Sequence, residues 1–223
     1  MVRWVPMESN PEVWNKFLKE MGVAGDWEFT DVFGLVPELL AMVPQPVAAV
    51  ILLYPISQNT EKLGEEKLAT TTGVSDKVFF MRQTVGNACG TVGILHSILN
   101  NSDVISIGDT LTKFQRDCCN VDPMQKASLL ENSDAIASKH AAAASTGQTA
   151  APSADEKINL HFVAFVSVDG ILYELDGRKP SAVSWGPCQS DELLSKAALA
   201  CQRYMACDPN EMRFTVVALS KTG

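Results

Sequence analysis

The pair Asp169-Gly170, set between Val168 and Ile171, constrains this chain more tightly than any other two residues. Both tolerate positive φ, so between runs of β-branched and aromatic residues they predict a two-residue hairpin turn. His161-Phe-Val-Ala-Phe-Val-Ser-Val on one side and Ile-Leu-Tyr-Glu-Leu on the other supply the strands. If Val168 faces Ile171, counting back from the turn puts Phe165 opposite Glu174 and Val163 opposite Asp176. His161 is then a diagonal neighbour of Asp176 on one face of the sheet, with Cα atoms about 7 to 8 Å apart, which imidazole and carboxylate can bridge. Glu174 is one step too far. The inference depends on register, because a slip of one residue turns Asp176 to the other face.

A second stretch, Gln83-Thr-Val-Gly-Asn-Ala-Cys89-Gly-Thr, places a cysteine where a loop becomes a helix. Val92, Leu95, Ile98 and Leu99 recur at helical spacing, and Asn87 ahead of them reads as the N-cap, which puts Cys89 in the first turn. Unpaired backbone N–H groups and the positive end of the helix dipole favour thiolate there. Gln83 precedes it in a loop that Gly86 can fold back, so its amide is a candidate oxyanion donor. A cysteine taken alone is more often a buried, inert small hydrophobe. A reactive one needs an imidazole within about 3.5 Å, held by a third group. The chain has three histidines. His96 lies on the same helix, roughly 10 Å further along the axis, which is too far. His140 sits in a small, polar, alanine-rich stretch and reads as solvated. His161, on a strand, is left as the base. Cys89, His161 and Asp176 with Gln83 thus form the role pattern of thiol proteases.

These same residues carry a family resemblance. Gln83 to Thr91, Leu160-His161-Phe-Val-Ala-Phe and Tyr173-Glu-Leu-Asp176-Gly-Arg-Lys-Pro180 resemble the three signature segments of the ubiquitin C-terminal hydrolases. Arg3-Trp4-Val-Pro6-Met-Glu8-Ser-Asn-Pro11-Glu resembles that family's N-terminal segment, and Asp208-Pro-Asn-Glu-Met-Arg213-Phe its final helix-to-strand passage. The likeness covers nearly the whole chain and looks closest to the short isozymes without a C-terminal extension. One departure is Ser181-Ala-Val-Ser-Trp185-Gly, where such enzymes often carry a proline-containing run ending in histidine. The resemblance implies a cysteine deubiquitinase that cleaves after ubiquitin's C-terminal glycine when the leaving group is small or unstructured, with no cofactor. It also implies a papain-like core with a knotted backbone, a ubiquitin tail lying along Pro6, Met7, Glu8, Ser9 and Asn10, and a mobile crossover loop at about 138–157. Two alternatives keep the same motifs: the same chemistry on another ubiquitin-like modifier, and a binding module that holds ubiquitin without turnover.

Length and composition bound the rest. At 223 residues and 46 % hydrophobic content the chain is expected to form one domain, residues 1–223, around one substantial core. Met-Val-Arg-Trp-Val-Pro-Met-Glu lacks the apolar centre of a signal peptide, and the longest apolar run, Pro46 to Ile56, is too short to cross a bilayer. A cytoplasmic monomer with no membrane association is expected. The six cysteines then read as reduced thiols, and Cys118, Cys119, Cys188, Cys201 and Cys207 show no paired C-x-x-C spacing for zinc. A net charge of −8 argues against a nucleic-acid partner. It suits either a basic ligand, such as the arginine-bearing tail of ubiquitin, or plain solubility.

Along the chain, Met7 to Met21 reads as an amphipathic helix, Val47 to Tyr54 as a central strand, and Gln58 to Thr72 as a polar surface excursion. Val78 to Met81 reads as a strand, Asp109 to Cys119, Pro123 to Asn132 and Asp191 to Met205 as helices, and Ser138 to Lys157 as mobile. The expected fold is an α/β domain: a central, mostly antiparallel β-sheet flanked by helices on both sides.

Overall fold

The structure is a computed structural model that describes residues 2–148, 153 and 159–222. An extended N-terminal segment ends at Asn10, whose side-chain oxygen accepts from the Glu12 N–H at 2.9 Å and starts α1 (Pro11–Glu20). Val13, Trp14, Phe17 and Leu18 form its buried face. β1 (Trp27–Asp31) and the short α2 (Pro37–Leu40) lead into β2 (Val47–Pro55). β2 is apolar throughout because both of its faces are covered: Ala49 and Ile51 join one core, Val50, Leu52 and Tyr54 the other.

The polar stretch after β2 is not an irregular excursion but a helix, α3 (Gln58–Thr70). Ser57 and Thr60 close a capping box at its start, and only Thr60, Leu63 and Gly64 are buried, so a narrow face suffices to hold it. The strand expected at Val78–Met81 does not form either. The segment donates to side chains instead: Phe79 exchanges two hydrogen bonds with Asn100, and the Met81 N–H goes to His96.

The chain continues through α4 (Cys89–Leu99), α5 (Asp109–Asp117), α6 (Pro123–Glu131) and α7 (Asp134–Ala144). α7 corrects the expectation of mobility from Ser138 onward. Ser133 caps it, and its run of alanines, read as low complexity, is also the best helix-forming composition there is. The remainder of that expectation falls largely on residues 149–152 and 154–158, outside the described residues.

β3 (Leu160–Val168), β4 (Ile171–Leu175), β5 (Val183–Pro187), α8 (Leu193–Cys207) and β6 (Thr215–Lys221) complete the fold. The sheet order is β1-β6-β2-β3-β4-β5 with every neighbouring pair antiparallel. One core lies between the sheet and α1, α4 and α7; α3 and α8 cover the opposite face. At the hairpin, Asp169 and Gly170 take φ of +51° and +76°, and Val168 faces Ile171 and Phe165 faces Glu174, the register that the turn predicts. The ladder ends at Ala164 and Leu175, so Asp176 stands just beyond it, diagonal to His161 near the start of β3.

Candidate active site

The hairpin register brings His161 and Asp176 together. His161 Nε2 lies 2.7 Å from Asp176 Oδ1, and both side chains are buried. Asp176 Oδ1 also accepts from the Arg178 N–H at 2.9 Å, a tight local turn that aims the carboxylate. Since Nε2 is committed to the carboxylate, Nδ1 is the ring nitrogen that remains for a second partner. The Cys89 thiol is the other group whose interaction with the imidazole shifts both partners. Tyr54, across the β2–β3 ladder, meets the His161 ring edge to face at 5.9 Å and closes the far side.

Cys89 is half-buried at the first residue of α4. The N-cap is Ala88 rather than Asn87, and no side chain caps the helix. Asn87 sits one residue earlier with φ of +62°, a left-handed conformation asparagine tolerates, and its Nδ2 donates to the Trp4 carbonyl at 3.2 Å. The helix N-terminus is therefore left uncapped by side chains beside the sulfur. Burial pushes the thiol up, but hydrogen bonding to His161, the charge of His161, and the N–H groups of Phe162 and Gly90 outweigh it, so Cys89 is lowered below an ordinary thiol. On His161, burial favours the neutral ring, yet Asp176 and then Cys89 raise it to about 9. Asp176 is held well below the usual carboxylate range: burial works against this, and His161, Lys179 and the Arg178 N–H overcome it. The shifts favour one state, thiolate beside imidazolium. The other thiols differ. Burial pushes Cys118 up to about 11 and raises Cys188, Cys201 and Cys207.

Gln83 is half-buried, and its backbone N–H donates to the Gly177 carbonyl at 2.8 Å, fastening its loop to the residue after Asp176. A Cβ at Gly177 would stand 2.9 Å from the Gln83 Cβ and 3.3 Å from Val92 Cγ1, so only glycine permits this approach. The side-chain amide gives one N–H to the Val85 carbonyl at 3.1 Å, leaving the second.

The N-terminal candidates divide. Met7 is buried in the core against the first turn of α4 and cannot face a ligand as it stands, and the Asn10 side chain is occupied as the α1 cap. Pro6, Glu8 and Ser9 are half-buried.

Two polar groups read as idle are not. His140 is buried, not solvated: one ring nitrogen lies 2.7 Å from Thr91 Oγ1 on α4, the other 2.8 Å from the Val5 carbonyl, and its ring packs 4.5 Å from Trp4. It clips the N-terminal segment onto the helix that carries Cys89. Its signal was hidden because all its partners are distant in sequence. Glu174, one step from Asp176, is fully buried and ion-paired to Lys179; Tyr204 donates to it at 2.9 Å and the Trp185 indole at 2.8 Å. Trp185 thus anchors the β5 segment, with the Lys67 Nζ lying 4.3 Å over its ring.

Sequence comparison gives the family of the chain. A model of the ubiquitin carboxyl-terminal hydrolase family, family 1, matches residues 4–206. The chain belongs to the ubiquitin carboxyl-terminal hydrolases. Among relatives of this family, a probable ubiquitin carboxyl-terminal hydrolase of Dictyostelium discoideum is 44 % identical over 98 % of the chain and 88 % of its own length. The human ubiquitin carboxyl-terminal hydrolase isozyme L1 is 42 % identical over 97 % of both. In fold, the chain resembles the Trichinella spiralis UCH37 catalytic domain solved bound to ubiquitin vinyl methyl ester, with a TM-score of 0.79 at 23 % identity over 98 % of this chain and 96 % of that one. Among the described residues, no helix of this family member is long and apolar enough to cross a membrane.

Proposed function

We propose that the chain is a thiol-dependent ubiquitinyl hydrolase that cleaves the bond after the C-terminal glycine of ubiquitin. The observation that carries this reading is the buried 2.7 Å His161–Asp176 pair presented to a half-buried thiol at a helix N-terminus. Cys89 thiolate attacks the scissile carbonyl, and the resulting oxyanion accepts from the Cys89 backbone N–H and the second amide N–H of Gln83. His161 gives its proton to the leaving amine as the C–N bond breaks, which leaves a thioester on Cys89. It then takes a proton from water, whose oxygen attacks the thioester and frees the carboxylate and the thiol. Asp176 holds the ring in one tautomer and stabilises its charged form throughout. No step calls on a cofactor.

The leaving group is small or unstructured in this reading. What supports the restriction is the length of chain between α7 and β3: Ser145 to Asn159 stretched fully reaches about 50 Å, a closed circuit about 16 Å wide. A small folded domain, near 30 Å across, does not pass such a circuit.

Ubiquitin carrying a C-terminal electrophile such as the vinyl methyl ester tests the reading. A covalent adduct on Cys89, lost in Cys89→Ala, is expected. Binding without an adduct would make the protein a non-catalytic ubiquitin binder, and labelling by another modifier in preference would reassign the substrate.

A further inference from the structure

His96 on α4 and Asn100 at its C-cap are polar residues that the mechanism above does not use. At 100° per residue, Cys89, His96 and Asn100 fall within about 20° of one line along the helix. Their partners are the consecutive alternate residues of the segment before Gln83. Asn100 Oδ1 accepts from the Phe79 N–H at 2.8 Å while its Nδ2 donates to the Phe79 carbonyl at 2.8 Å. His96 Nε2 accepts from the Met81 N–H at 3.1 Å. The spacings match: one step from Asn100 to His96 rises about 6 Å on a helix, and two extended residues from Phe79 to Met81 advance about 6.6 Å. The segment runs antiparallel to α4, and its next steps carry Gln83 toward the Cys89 end.

The two helix residues do the work a neighbouring strand would do, which is why an extended, apolar stretch lies here outside the sheet. His96 is fully buried. Because Nε2 accepts, the neutral ring carries its proton on Nδ1, which faces the carbonyl of Leu175, the residue before Asp176, without a close hydrogen bond. Burial holds the ring neutral, with proton affinity down at about 4. Phe80 stacks on it at 5.5 Å and an interplanar angle of 13°.

We propose that His96 and Asn100 are positioning residues for the oxyanion donor, a side-chain rail on the nucleophile's own helix that sets where Gln83 stands relative to Cys89. The proposal rests on the reading of Gln83 as that donor. It requires His96 to act on the acyl-transfer step through Gln83 and through nothing else.

The test is a double-mutant cycle on hydrolysis of a ubiquitin C-terminal fluorogenic amide, with alkylation of Cys89 by iodoacetamide as a second readout, since that displacement develops no oxyanion. His96→Leu, which cannot accept from Met81, should lower kcat by roughly 10- to 100-fold through displacement of Gln83, with KM and the alkylation rate near wild type. His96→Gln, which restores an acceptor, should recover much of the loss. In a Gln83→Ala background, His96→Leu should cost almost nothing further. If Gln83→Ala alone leaves kcat intact, the oxyanion assignment of Gln83 is what fails. If Gln83→Ala is impaired and His96→Leu lowers kcat equally in both backgrounds, or slows alkylation as much as turnover, the rail is refuted. Should His96→Leu not fold, Asn100→Leu, which removes both bonds to Phe79, must show the same pattern in the same cycle; additivity there refutes the proposal equally.

Discussion

Replacing Asp176 by Asn tests the electrostatics of the site directly. In the folded protein the proton affinity of His161 stands at about 9 against an ordinary 6.5, which corresponds to about 3 kcal/mol favouring the charged ring. The sign follows from linkage. A group whose proton affinity is raised on folding contributes stability that is complete below about pH 6.5 and disappears as pH rises through about 9. Asp176 is lowered, so the same interaction fades at the acid end, as pH falls below the ordinary carboxylate value. The two shifts describe one pair and are not added. The figure is a net one: burial of the ring works against it, and Cys89 adds to what Asp176 contributes. Urea denaturation of wild type and Asp176→Asn should therefore differ by about 3 kcal/mol near pH 6, and the gap should narrow above about pH 9. Turnover should fall by roughly 10² to 10⁴ through loss of ring orientation and charge stabilisation. The pH profile of Cys89 alkylation should move to higher pH, toward that of an ordinary thiol. A stability difference independent of pH, or an alkylation profile that does not move, would refute the coupling.

Cys89→Ala should abolish hydrolysis while ubiquitin binding, followed by titration calorimetry, persists; changing Cys118, Cys119, Cys188, Cys201 and Cys207 together to Ser should leave turnover within about tenfold if the variant folds. Gly177→Ala should drive a methyl against Gln83 and lower kcat by about tenfold or more with little change in KM, measured on the fluorogenic amide. Glu174→Gln leaves Lys179 without its buried counter-charge and should cost about 3 kcal/mol in denaturant unfolding, an effect on stability larger than on kcat at a temperature where the variant is folded. Inserting a dozen Gly/Ser residues at Gly147 should raise cleavage of ubiquitin joined to a folded domain and leave cleavage of a ubiquitin-peptide fusion unchanged; no gain on lengthening would remove chain length as the limit on the leaving group.

What could be read from sequence divides along the range of the interactions. His161 and Asp176 are separated by one hairpin, and a two-residue turn with both residues at positive φ converts their separation along the chain into a register, so local chemistry was enough to pair them. The place of Cys89 at the start of a helix was legible in the same way, from a helical period, although the detail of the cap was wrong: Asn87 reads as a capping residue and instead uses its tolerance of left-handed backbone to turn the chain. Where the partner lay far off, composition misled. His140 stands in a run of small residues, which looks unstructured until Thr91, Val5 and Trp4 converge on it. The segment 78–81 carries the pattern of a strand for a sound reason, since it is extended and buried; period alone cannot tell that its hydrogen bonds end on helix side chains. Each of these misread groups touches α4 or the segment leading to Gln83. A reactive thiol at a helix N-terminus needs several loops held against it at once, and the residues that hold them are polar, buried and remote in sequence. They resemble surface residues in every local property, so the candidate reacting groups were easier to read than the groups that support them.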